Sequence, residues 1–175
     1  PFEFIQADAI EYGAAHGHEF DARHASPPCQ AFSPLQALPN AGKKRPPVDL
    51  IEPTRAMLAA IGGPYVMENV VQAPVADGSD LFGTHGAMLC GTMFGLKIYR
   101  HRKFETTFHL PQPGHPRHIY LAMRAGYLPT PERPFMSVHG RGGHNSKAWV
   151  KAAAEALEIP WVTALDPVCE AIPPA

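Results

Sequence analysis

The sequence predicts an α/β fold in which βαβ units build a parallel sheet. Three observations predict it. Strand-like and helix-like patterns alternate from Phe2 to Val70. Polar residues stand at the ends of the expected strands, where ligand sites of parallel sheets lie: Asp8, then Ser26 to Gln30, then Glu68 and Asn69. Proline, at 20 of 175 residues, is too frequent for a mostly helical bundle, because each interior proline breaks a helix.

The elements follow in order. Residues 2–7 partly alternate apolar and polar side chains and read as a strand. Residues 9–16 read as a short helix closed by Gly17, and 19–25 as a second strand. Residues 34–47 hold four prolines and the run Lys43-Lys44-Arg45, so they form a basic loop. Residues 53–61 are helical, with Pro53 in the first turn and Met57, Leu58 and Ile61 on one face. Gly62-Gly63 stops that helix. Tyr65 to Met67 is a buried strand running into Glu68-Asn69-Val70. Residues 97–108 have β character, 109–134 are irregular and proline-rich, and 135–138 form a further strand. Asn145 or Ser146 caps a last helix over 147–157, with Trp149, Val150, Ala153 and Leu157 on one face.

A formal charge of −1 gives no global basic field, so nucleic-acid binding needs a local patch. No apolar run approaches the roughly 18–20 residues of a membrane span. Cys29, Cys90 and Cys169 are odd in number and follow no disulfide framework, which points to a reduced, intracellular protein. The absence of an initiating Met suggests a trimmed or partly ordered piece.

Three positions carry chemistry. Cys29 follows two prolines that fix φ and hold its thiol in place on a loop, as a nucleophile requires. Glu68 ends an apolar strand, where a carboxyl is costly unless used or paired. If buried, it holds a proton near neutral pH. Arg100 and Arg102 alternate with His101, so the two guanidiniums face one side and suit an anionic or carbonyl-rich ligand. A buried cysteine, a solvated glutamate and a solvated basic strand face are the plain alternatives.

These residues resemble those of the DNA cytosine-5 methyltransferases. Ser26-Pro27-Pro28-Cys29-Gln30-Ala31-Phe32-Ser33 is similar to that family's Pro-Cys loop, and Met67-Glu68-Asn69-Val70 to its Glu-Asn-Val motif. The helix-bearing spacing between them also resembles the family's. Arg100 and Arg102 resemble its Arg-X-Arg, Asp8 its acidic residue after an early strand, and residues 170–175 the opening of its last motif.

The resemblance implies a Rossmann-like methyltransferase fold with a mainly parallel sheet. It divides the chain into a catalytic core over 1–108, a reduced target-recognition segment over 109–134 and the C-terminal part of the core over 135–175. Cys29 would add to C6 of a cytosine flipped out of duplex DNA. Glu68 and Arg102 would stabilise the adduct, with Arg100 supporting the loop or contacting phosphate. S-adenosyl-methionine would then methylate C5. Asp8, Ala9 and Pro28 would line the cofactor site. Ser26, Pro27, Gln30, Ser33, Asn69, Lys43, Lys44 and Arg45 would meet DNA. The setting implied is the cytoplasm of a prokaryotic or phage-infected cell, as in restriction-modification.

Two features depart from the family. Its N-terminal Gly-rich cofactor motif is absent, so the first strand and helix are expected to be missing, cleaved or carried by a second polypeptide. The recognition segment is also short. His109, His115 and His118 fit no zinc spacing and read as loop histidines, so no metal is expected. His139, Arg141, Gly142, Gly143 and His144 read as a basic turn or a Gly-rich loop. Two rivals remain: another pyrimidine C5 enzyme using the same thiolate addition, and a degenerate DNA-binding homologue.

Overall fold

The computed structural model describes residues 3–32, 48–76, 84–119, 127–138 and 146–171. The expected basic loop at 34–47, the turn at 139–144, and Ser33, Lys43, Lys44 and Arg45 lie outside the described residues. The chain divides into two compact units, one of residues 1–88 and 102–111, the other of 89–101 and 112–175. Among the described residues no helix is long and apolar enough to cross a membrane.

In the first unit, α1 (Ala9–His16) starts at Asp8, whose Oδ1 accepts from the N–H groups of Ile10 and Glu11 at 3.0 Å each. This is an N-cap, satisfying donors that the first helical turn leaves over. β1 is Arg23–Ala25, and α2 (Ile51–Ile61) carries Pro53 in its first turn. Asp49 Oδ1 accepts from the Ile51 N–H at 2.9 Å and so fixes the entry to α2. β2 is Tyr65–Asn69. Gly17 lets α1 settle on α2, because a Cβ there would stand 2.5 Å from Ile61 Cδ1. The Arg23 guanidinium then ties the ends of both helices: it donates to the carbonyls of Gly17, Phe20 and Gly62 at 2.8, 2.9 and 2.7 Å. Beneath lies a core of Ile51, Leu58, Tyr65, Met67, Ala73 and Val75.

β3 (His85–Cys90) and β4 (His101–Thr106) complete a four-stranded sheet of order β1-β2-β4-β3. β1 and β2 are parallel, with Ala25 opposite Met67. β2 and β4 are antiparallel, with Glu68 opposite Phe104. The protein is thus α/β with a mixed sheet, and the parallel expectation holds for the β1–β2 pair.

Two expected strands do not form. Residues 3–7 are exposed and irregular, with Phe4 87 % accessible. Alternation alone does not make a strand without a ladder partner, and β1 is the edge strand on that side. Residues 135–138 contribute one bridge, Ile98 with Met136, rather than a strand. The second expected strand is shorter than 19–25, since Gly17–Glu19 form a 3-10 turn.

In the second unit, α3 (Lys147–Ala156) begins at Ser146, whose Oγ accepts from the Trp149 N–H at 3.2 Å. Its buried face presents Trp149, Val150, Ala153 and Ala154, and Leu157 follows, as the 3.6-residue period requires. α4 (Leu165–Glu170), which the sequence reading missed, brings Val168 and Cys169 to the same core.

Candidate functional site

The first unit assembles the expected chemistry on two adjacent parallel strands. Four residues after β1 ends, Cys29 opens a 3-10 turn, Cys29–Phe32, as a partly exposed free thiol. One residue after the Ala25–Met67 pair, Glu68 lies within β2. Both groups therefore stand at the carboxyl end of the parallel pair. Asn69 links them. Its Nδ2 donates to the Pro27 carbonyl at 2.8 Å, and its Oδ1 accepts from the Val70 N–H at 2.9 Å. Asn69 is 2 % exposed, so these bonds form out of water, where losing one leaves a costly unpaired group. Pro27 is buried, while Ser26, Pro28 and Gln30 are exposed around the thiol.

Arg102 Nε lies 2.7 Å from Glu68 Oε1. The antiparallel register explains the contact. Glu68 faces Phe104, so Arg102 is its diagonal neighbour on the same face of the sheet. The contact is an ion pair rather than an aligned hydrogen bond, since buried Oε1 has no hydrogen-bond donor among the described residues.

Arg100 corrects the expectation of two guanidiniums on one face. It precedes β4, is 4 % exposed, and belongs to the second unit. Its Nη1 donates to the Val138 carbonyl and its Nη2 to the Cys169 carbonyl at 2.8 Å. Strand alternation does not reach back across the start of β4, so Arg100 serves backbone carbonyls of its own unit.

Asp8 and Ala9 are exposed, and one Asp8 oxygen is committed to capping α1. Pro28 is exposed on the Cys29 loop. These residues fit part of a cofactor site at most, since no Gly-rich loop accompanies them among the described residues.

The sequence reading missed a buried ion pair on the opposite face of the sheet. Glu105, 0 % exposed, accepts from Arg55 Nε at 2.9 Å, Arg55 Nη2 at 2.8 Å, Tyr65 Oη at 3.0 Å and the Ala76 N–H at 3.0 Å. Burial opposes its charge, but hydrogen bonds from Arg55 and Ala76 outweigh it and hold the carboxyl below its ordinary range. The same cluster pushes the Tyr65 phenol up to about 12, through burial first and the Glu105 charge second. The Glu-Thr pair inside the β-rich run at 97–108 was the available signal.

It also missed a cluster in the second unit. Cys90, His101, His115 and His118 bring one ligand atom each to within 4.8 Å of one another. The expected loop trio divides differently, because His109 packs edge-on against His85 of the first unit. Burial lowers the His101 pKa, and the neighbouring His118 and His115 lower it further. His118 is lowered in the same way by burial and His115. Only the His-X-X-His spacing at His115 and His118 was legible. Comparison with family models, curated proteins and solved structures gives no significant match to this chain.

Proposed function

We propose that this chain forms the catalytic core of a DNA cytosine-5 methyltransferase with a Rossmann-like fold. The observation that carries the reading is the Cys29 loop held by Asn69 to the strand bearing Glu68, with Arg102 paired to that carboxylate. The sheet supports the Rossmann-like part only through its β1–β2 pair.

Cytosine C5 is a poor nucleophile while the ring is aromatic. Addition of the Cys29 thiolate to C6 forms a C–S bond and breaks the C5=C6 π bond. The displaced electron pair spreads over C5 and N3 and makes C5 nucleophilic. Glu68 takes up a proton from solvent as the adduct forms and donates it at N3, and Arg102 donates to O2. These are adjacent positions on the pyrimidine edge, and the contact between Glu68 and Arg102 matches that adjacency. The base is flipped from duplex DNA to reach the thiol. S-adenosyl-methionine, when bound, would supply the methyl group that C5 takes; water then removes the C5 proton, the C5=C6 bond re-forms and the C6–S bond breaks, returning the Cys29 thiolate. The rest of its site is proposed to come from a further segment or a second polypeptide, in the cytoplasm of a prokaryotic or phage-infected cell.

Incubation with duplex DNA containing 5-fluorocytosine and S-adenosyl-methionine tests the reading. The fluorine cannot leave as a cation, so the adduct is trapped. A complex that survives denaturant and is lost in Cys29→Ser is expected. Absence of the complex, or its persistence in Cys29→Ser, overturns the mechanism. A complex on the free nucleotide but not on DNA would favour the other pyrimidine C5 chemistry instead.

A further inference from the structure

In the second unit, the stretch from Gln112 to Ile119 has no regular secondary structure and is largely exposed, yet it folds back onto the start of β4. Imidazoles make the contact. His115 stacks on His101 with ring centroids 5.2 Å apart, and His118 lies 5.0 Å from His101 and 4.9 Å from His115. Cys90, 1 % exposed at the end of β3, closes the group. Three imidazoles and a thiol thus face one another at close range.

We propose that Cys90, His101, His115 and His118, one thiolate and three imidazoles, form a site for a divalent transition metal, zinc by preference. In a tetrahedral zinc site, metal–nitrogen bonds of about 2.0–2.1 Å and metal–sulfur bonds of about 2.3 Å place neighbouring donor atoms roughly 3.3–3.6 Å apart. Cys90 Sγ lies 3.6 Å from His118 Nε2, and His101 Nε2 lies 3.1 Å from His115 Nε2. All the donor atoms fall within 4.8 Å of one another. This donor set suits zinc better than magnesium or calcium, which take oxygen donors.

The surroundings hold the donors in place. Tyr99 stacks on His118 at 3.8 Å, with Phe135 stacked behind Tyr99 at 4.8 Å. Thr92 Oγ1 donates to Cys90 Sγ at 3.3 Å and so orients the sulfur. Gly91 allows the turn after Cys90, because a Cβ there would meet Ile98 Cγ2 at 2.4 Å and the Ile98 carbonyl at 2.9 Å. Four protein donors complete a tetrahedron and leave no open position, so the site is structural. On binding, the Cys90 thiol gives its proton to solvent and the imidazoles bind neutral. The metal ties residues 112–119 to His101 within the second unit, a stretch that among the described residues has no regular secondary structure. The inference does not depend on the methyltransferase reading.

Zinc content of the whole purified chain, and titration with Co2+ as a coloured substitute, test it. About one metal per chain is expected, with a thiolate-to-cobalt charge-transfer band. Cys90→Ala should remove that band. His115→Ala, at an exposed position, should weaken binding on the order of 100-fold or more. His109→Ala and Cys169→Ala, outside the cluster, should leave both readouts unchanged. Circular dichroism separates lost binding from lost folding. A folded chain that takes up no zinc or cobalt overturns the proposal, as does binding unchanged in both Cys90→Ala and His115→Ala.

Discussion

The Asn69 amide donates to the Pro27 carbonyl at 2.8 Å, tying the loop that carries Cys29 to the end of β2. The backbone bonds of β1 and β2 stop before this point, so a side chain continues the connection. The loop that carries the thiol is thus bonded to a buried side chain, Asn69, for which the sequence suggested a contact with DNA.

Asn69→Asp should test that tie. An ionised carboxylate accepts hydrogen bonds but cannot donate to the Pro27 carbonyl. The change should cost about 1–3 kcal/mol of stability, measured by urea unfolding at neutral pH. It should also slow adduct formation on 5-fluorocytosine DNA while leaving Cys29 reactive toward a small thiol reagent. Loss of that small-reagent reactivity would mean that Asn69 acts on the thiol itself rather than on the loop.

Glu68 and Arg102 should act as a pair. Glu68→Gln should lower the rate of adduct formation by roughly 100-fold or more, the usual worth of a positioned proton. Arg102→Ala should lower it as well. The double variant should lose less than the product of the two single losses, because each change disables the same pyrimidine edge. Strictly multiplicative losses in single-turnover rates would show that the pair works independently.

The Glu105 cluster should set the pH limits of the first unit. Its carboxyl is held low in the folded state, so its stability is present above the ordinary carboxylate pKa and is lost as pH falls through the lower folded value. Tyr65 runs the other way. Its folded value, raised from 10.0 to about 12, means that stability present below pH 10 is lost as pH rises through that window. Unfolding curves across pH should therefore show a shallower acid limb in Glu105→Gln and a shallower alkaline limb in Tyr65→Phe. Limbs identical to those of the parent chain would assign the pH dependence elsewhere.

Arg100 should prove structural. Arg100→Ala leaves the buried Val138 and Cys169 carbonyls without their guanidinium donor. A loss of about 2–4 kcal/mol is expected, since both bonds are charge-assisted. Arg100→Lys should recover only part of it, because an ammonium cannot reproduce the fork. An Arg100→Ala chain of undiminished stability that forms no adduct would return Arg100 to the catalytic group.

Local patterns were readable where one short stretch contains its own cause. Ser146 caps the helix that follows directly, Pro53 sits in a first turn, and Trp149 to Leu157 repeat at the helical period. The Cys29 and Glu68 positions were readable for the same reason, each belonging to the end of a short strand or the loop after it. Residues 3–7 misled because alternation describes one strand and is silent about its partner.

The linear order of residues therefore dictates a local grammar: which residues cap, turn and alternate, and which reactive side chains stand at strand ends. Folding in three dimensions selects which distant residues meet. It separates Arg100 from Arg102, although one residue lies between them, because the hydrogen bonds of Arg100 go to carbonyls at Val138 and Cys169. It pairs Arg55 with Glu105 across the packing of a helix on a strand. It draws Cys90, His101, His115 and His118 together from three stretches of chain. The difference is one of range. Capping and periodicity act within a turn or two, whereas register and loop closure bring together groups whose spacing in sequence carries no trace of the contact.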